Sequence, residues 1–182
     1  MNNLQVDVAV IGAGTAGMIA YRAAKAAGAS AVIIEGGHYG TTCARVGCMP
    51  SKLLVAAAGF AHAIGKAPEM GIHVDGVVRI DGRAVMDRIR CERDRFVGFA
   101  LGEVQQIPDA DRLLGHARFV DNRTLAVANH TRVQAKSIVI ATGSRADYPD
   151  SFKALGERLI VSDNVFDWTD LPKSVAVIGP GI

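Results

Sequence analysis

The chain has 182 residues, 49% of them hydrophobic, enough to bury the core of one domain with some chain left over. Its 20 basic and 18 acidic residues nearly cancel, so no global field marks nucleic acid or a membrane surface as a partner. An uninterrupted apolar run of about 18 residues and the basic-then-apolar start of a signal peptide are both missing, which predicts a cytoplasmic protein without membrane contact.

Val6 to Ile11 is a short valine- and isoleucine-rich run ending in glycines, the pattern of a buried parallel strand. Alanine-rich Thr15 to Ala27 predicts a helix, with Gly28 as its left-handed stop, and Ala31 to Ile34 repeats the strand pattern. Strand, helix and strand in this order make a βαβ unit with a right-handed crossover. After a loop from Gly36 to Thr42, the stretch Cys43 to Ile64 reads as helical, with an entry made irregular by Gly47 and Pro50. Asp81 to Leu101 predicts a second long helix that buries Val85, Ile89, Phe96 and Ala100, its charged run from Arg83 to Arg95 being a solvated face. From Leu113 to Thr142 short strands alternate with turn residues, Asp121-Asn122-Arg123 and Asn129-His130, predicting an antiparallel meander whose last strand is Ser137 to Ala141. Arg145 to Pro172 reads as a connection, and Ser174 to Ile178 with Gly179-Pro180-Gly181 as a new strand and glycine turn. A strand followed by such a turn needs a covering helix, so the chain is expected to be truncated there.

Gly12-Ala13-Gly14-Thr15-Ala16-Gly17 lies between a predicted strand and a predicted helix, where a dinucleotide fingerprint must lie. Gly12 makes the tight turn, Gly14 admits a pyrophosphate to the backbone, and Gly17 lets helix and strand pack closely. Glu35, at the end of the second strand, is placed to accept both hydroxyls of an adenosine ribose. The motif alone leaves FAD and NAD equally open as ligand.

Cys43-Ala44-Arg45-Val46-Gly47-Cys48 carries the second chemistry. On a regular helix these two cysteines would stand beyond disulfide reach, so closure depends on the irregular entry. A helix N-terminus and nearby Lys52 should lower the thiol pKa values. Spacing leaves three uses open: a reversible disulfide, two buried structural thiols, or half of a zinc site. The five histidines show no ligand spacing that would complete a zinc site, so no metal centre is expected. Cys91, amid charged residues of the second long helix, reads as an inert thiol.

Gly40-Thr41-Thr42-Cys43-Ala44-Arg45-Val46-Gly47-Cys48-Met49-Pro50-Ser51-Lys52 resembles the active-site segment of class I pyridine nucleotide-disulfide oxidoreductases, the family of dihydrolipoamide dehydrogenase, glutathione reductase and mercuric reductase. The family pattern usually has a second glycine at Thr41 and an asparagine at Arg45. The Ser51-Lys52 ending looks most like dihydrolipoamide dehydrogenase or mercuric reductase. Ala141-Thr142-Gly143-Ser144 resembles the family's second flavin contact, and Val175 to Gly181 the start of its nicotinamide domain.

The resemblance implies an α/β fold: a Rossmann-like FAD domain over residues 1–147 with a parallel sheet and a small antiparallel meander, a connection over 148–172, and the start of an NAD(P) domain over 173–182. It implies FAD held by Gly12, Gly14, Gly17, Glu35, Thr42, Lys52, Ala117, Ala141, Thr142, Gly143 and Ser144, with Ala117 past the adenine and Lys52 beside the isoalloxazine ring. Cys43 would be the interchange thiol and Cys48 the thiol against the flavin, passing electrons between a dithiol such as dihydrolipoamide, FAD, and NAD or NADP. It further implies a homodimer, with the acid–base histidine supplied by a carboxy-terminal domain of the other subunit. The 182 residues are therefore expected to have no turnover alone and to hold FAD poorly. The alternatives are a mercuric or other NADPH-dependent disulfide reductase, and a non-catalytic flavin-binding remnant.

Overall fold

A computed structural model describes residues 1–179. Six strands form one mixed sheet in the order β3-β2-β1-β6-β5-β4: β1 Asn2–Ile11, β2 Ala31–Glu35, β3 Arg112–Leu114, β4 Ala117–Phe119, β5 Thr124–Val127 and β6 Thr131–Ile140. The helices are α1 Thr15–Ala26, α2 Thr42–Val46, α3 Cys48–Lys66 and α4 Gly82–Gln105. The βαβ unit forms as the sequence predicts, with β1 parallel to β2 and Gly28 at φ +77 after α1.

Side chains alternate through the sheet with the two-residue period of strands. On one face Val10, Ala31 and Ile33 pack with Met18 and Tyr21 of α1 and with Val104 at the end of α4. On the other, Ala9, Val32 and Ile34 join Leu125, Val127 and Val133. Several of these side chains are fully buried, each stabilising the fold by roughly 1.5–3 kcal/mol relative to exposure.

The expected meander is only partly present. β4, β5 and β6 are antiparallel, but β6 runs parallel to β1 along its whole length, and β3 crosses to the opposite edge to pair parallel with β2. Three residues carry too little periodicity to announce which edge they will join.

α4 begins where the sequence places it, with the Asp81 carboxylate accepting the Ala84 N–H. Its buried positions are Met86, Ile89 and Val104, whereas Val85, Phe96 and Ala100 are only half-buried. The displacement follows from a partner the sequence reading missed. Residues 148–172 are no loose connection, because the helical turn Ser162–Asp167 returns to bury Phe166 against Met86 and Ile89. Arg93 fastens this turn by donating to the Phe166 carbonyl, and Arg90 by donating to that of Trp168.

The strand predicted at Ser174 to Ile178 does not form. Val175, Val177 and Ile178 are exposed, and among the described residues no sheet edge pairs with them. Pro180 and Gly181 of the predicted glycine turn lie outside the described residues. The stretch Thr42–Met70 is long and apolar enough by composition to cross a membrane, although no uninterrupted apolar run signals it. Within it Val55, Phe60 and Ile64 are exposed apolar side chains of α3.

Candidate functional site

The C-terminal ends of β1, β2 and β6 open onto a cavity of about 470 Å³, where ligands bind in parallel sheets. Gly12, with φ +103, turns the chain out of β1; a Cβ there would stand 2.2 Å from the Ala141 carbonyl oxygen. A Cβ at Gly17 would stand 1.8 Å from the Gly12 oxygen, so this position holds α1 against the turn. Gly14 is different, since a Cβ there meets nothing within 4 Å. The room beside Gly14 opens to the cavity, and α1 starts there without a side-chain cap or an acidic residue in its first turn. Its first N–H groups are thus available to an anion.

Glu35 lines the same cavity. Its carboxylate accepts the Ala13 N–H at one oxygen and the Gly37 N–H at the other, both at 2.8 Å, which fixes the group while each oxygen keeps capacity for a hydroxyl. Thr42, Ala117, Ala141, Thr142 and Gly143 complete the predicted wall. Thr41, Arg45 and His38 also line it, none of which the sequence reading had as a contact, and so does His116, whose segment was expected to run past the adenine with Ala117 as the contact.

A second hollow shares Gly14, Thr42, Ala141, Thr142 and Gly143 with the first and adds Thr15, Cys43 and Ser144. Cys43 therefore stands at the wall beside the first cavity. Cys48 and Lys52 are exposed and line neither hollow, and Gly17 acts from behind as a packing position.

The two cysteines meet because the helix breaks between them. α2 ends at Val46, Gly47 takes φ −127 and ψ −118, and α3 starts at Cys48. Both thiols are free in this structure, and Cys48 is the strongest single influence on the Cys43 thiol. The expectation of a lowered pKa fails for Cys43. The neighbouring Cys48 thiol and then burial push the Cys43 thiol above its ordinary value, outweighing the N–H groups of Cys48 and Met49, and Lys52 is not among the groups that act on it.

Thr41, where the family pattern has glycine, adopts φ +57, a region that strains a residue bearing a Cβ. Its hydroxyl accepts the Ala44 N–H at 3.1 Å and so caps α2, an interaction glycine lacks. Among the described residues no cluster of three metal-ligating side chains occurs.

A family model described as "Pyridine nucleotide-disulphide oxidoreductase" matches residues 6–182. Among curated relatives, the dihydrolipoyl dehydrogenase of Haloferax volcanii is 32% identical over 184 residues, covering 96% of this chain and 38% of the relative. That of Geobacillus stearothermophilus is 32% identical over 181 residues, covering 98% of this chain and 38% of its own length. The soluble pyridine nucleotide transhydrogenase of Mycobacterium bovis is 29% identical, covering 98% and 39%. The chain thus spans well under half the length of these relatives. The solved structure of the Cu(II) complex of the HOCl-induced flavoprotein disulfide reductase RclA from Escherichia coli superposes with a TM-score of 0.69 at 22% identity, covering 94% of this chain and 36% of that one, a likeness of fold.

Proposed function

Because the chain belongs to the pyridine nucleotide-disulphide oxidoreductase family, we propose that it supplies the FAD site and the reversible Cys43–Cys48 disulfide of a dihydrolipoamide dehydrogenase-type enzyme. The observation that carries this reading is one of adjacency. Cys43 lines a hollow that shares its wall with the nucleotide cavity, while the helix break at Gly47 sets Cys48 at the start of the next helix beside it.

The donor set fits the adenylate and diphosphate of FAD: uncapped N–H groups at α1, open room at Gly14, and a fixed carboxylate at Glu35 for the ribose. In the oxidised pair, a substrate thiolate attacks the Cys43 sulfur, forming a mixed disulfide and releasing Cys48 as thiolate. The second substrate thiol then displaces Cys43, so the substrate leaves oxidised and the pair holds two more electrons. FAD, when bound, supplies the acceptor for those electrons and a hydride donor to NAD or NADP. Lys52, one helical turn beyond Cys48, is assigned to the ring side of the same site.

The nicotinamide site and the acid–base group for thiol exchange belong, in this reading, to parts of the relatives outside the matched stretch, so no turnover is expected from these 182 residues alone. A homodimer is part of the same proposal, supported by the exposed apolar side chains of α3, and a cytoplasmic location is proposed with it. Equilibrium dialysis against excess FAD and, separately, FMN tests the site. At excess ligand FAD is expected to bind, weakly, but more tightly than FMN, which lacks the adenylate half; equal affinity for the two overturns it.

A further inference from the structure

Arg45 is the one half-buried arginine among the described residues with no carboxylate in ion-pair reach. Arg90, Arg93 and Arg112, buried to a similar degree, each hold an aspartate, and every other arginine without such a partner is exposed. A partly desolvated guanidinium is costly to leave uncompensated, so a site that keeps one has a use for the charge. Arg45 lines the nucleotide cavity, and its stem is laid against Gly40: a Cβ built on that glycine would meet Arg45 Cδ at 3.3 Å and Val97 Cγ1 at 3.1 Å. The absence of a side chain at Gly40 is therefore what lets the arginine lie where it does.

The cavity's backbone also favours an anion. The Glu35 carboxylate is occupied by two backbone N–H groups, and the N-terminus of α1 opens into the cavity without a cap. We propose that Arg45 donates a charge-assisted hydrogen bond to the diphosphate of the bound dinucleotide, setting how tightly this chain holds its cofactor. The inference rests on the adenine-dinucleotide reading of the cavity. It assigns a cation to a position where the family pattern has a neutral asparagine, so the diphosphate here is gripped by a side chain as well as by backbone.

Calorimetric titration of the 182-residue chain with ADP and with adenosine, at low and at high salt, tests both levels separately. Arg45→Gln is expected to weaken ADP by roughly tenfold or more, the range of a charged hydrogen bond, and to flatten its salt dependence while leaving adenosine unchanged. Arg45→Lys, which keeps charge and stem, falls between the two and serves as the working comparison should the glutamine variant fold poorly. ADP binding by Arg45→Gln equal to that of the unaltered chain overturns the arginine's role while leaving the cavity assignment intact. An equal loss of ADP and adenosine makes the residue structural and also overturns it. Failure of the unaltered chain to bind either ligand removes the cavity reading, and the proposal with it.

Discussion

Cys43 and Cys48 stand on either side of a helix break, α2 stopping at Val46 and α3 restarting at Cys48, and Gly47 is what permits the break. A Cβ at Gly47 would lie 3.1 Å from the Thr42 carbonyl oxygen and 3.3 Å from Cys43 Cα, both backbone atoms that cannot swing aside. Gly47→Ala should therefore separate the α2 and α3 ends, at a cost of about 1–3 kcal/mol of overpacking. Peptide mapping after mild oxidation should find the 43–48 disulfide in the unaltered chain and much less of it in the variant. Equal yields would show that the break does not depend on glycine.

The raised Cys43 pKa has its largest cause in Cys48, so Cys48→Ala should bring it down. Thiolate is the reactive form, and the alkylation profile of Cys43 against pH should shift to lower pH in that variant. An unmoved profile would assign the shift to burial instead.

The fingerprint glycines separate stability from binding. Gly17→Ala forces a side chain onto the Gly12 carbonyl and should lower the melting temperature strongly. Gly14→Ala meets no protein atom within 4 Å, so it should leave the melting temperature nearly unchanged yet weaken ADP by filling the room reserved for phosphate. A Gly14 variant that melts early and binds normally would reverse this assignment.

Tyr21 ties α1 to the start of β3 by donating its hydroxyl to Asp111 at 2.6 Å, with Lys25 on the same carboxylate oxygen. Burial, then this hydrogen bond, raises the phenol above its ordinary value. Because the folded pKa exceeds the unfolded one, the contribution is complete below about pH 10 and is lost as pH rises toward the folded value. Tyr21→Phe should cost about 1 kcal/mol at neutral pH and remove part of the alkaline decline in urea midpoints. Identical slopes for both proteins would disprove the link.

The sequence shows the turn at Gly12, the acid at Glu35 and the cysteine pair because each is a local requirement: a backbone close approach, a strand end, a helix interruption. Parts that depend on distant partners stay hidden. β3 has only three residues with which to choose its edge, and the buried face of α4 is decided by Phe166, far along the chain. Arg45 packs its stem against Gly40, a contact that spacing does not encode. The direction of the Cys43 shift was missed because helix N-termini and Lys52 are visible in the sequence, whereas a thiol facing a thiol is not.

The most direct test of the account is an anaerobic titration of the FAD-loaded chain with dihydrolipoamide, followed by visible absorption. Reduction of the cysteine pair should produce a long-wavelength thiolate-to-flavin band that Cys48→Ala lacks. A flavin spectrum that stays unchanged while both thiols become reduced would contradict the placement of the pair against the cofactor.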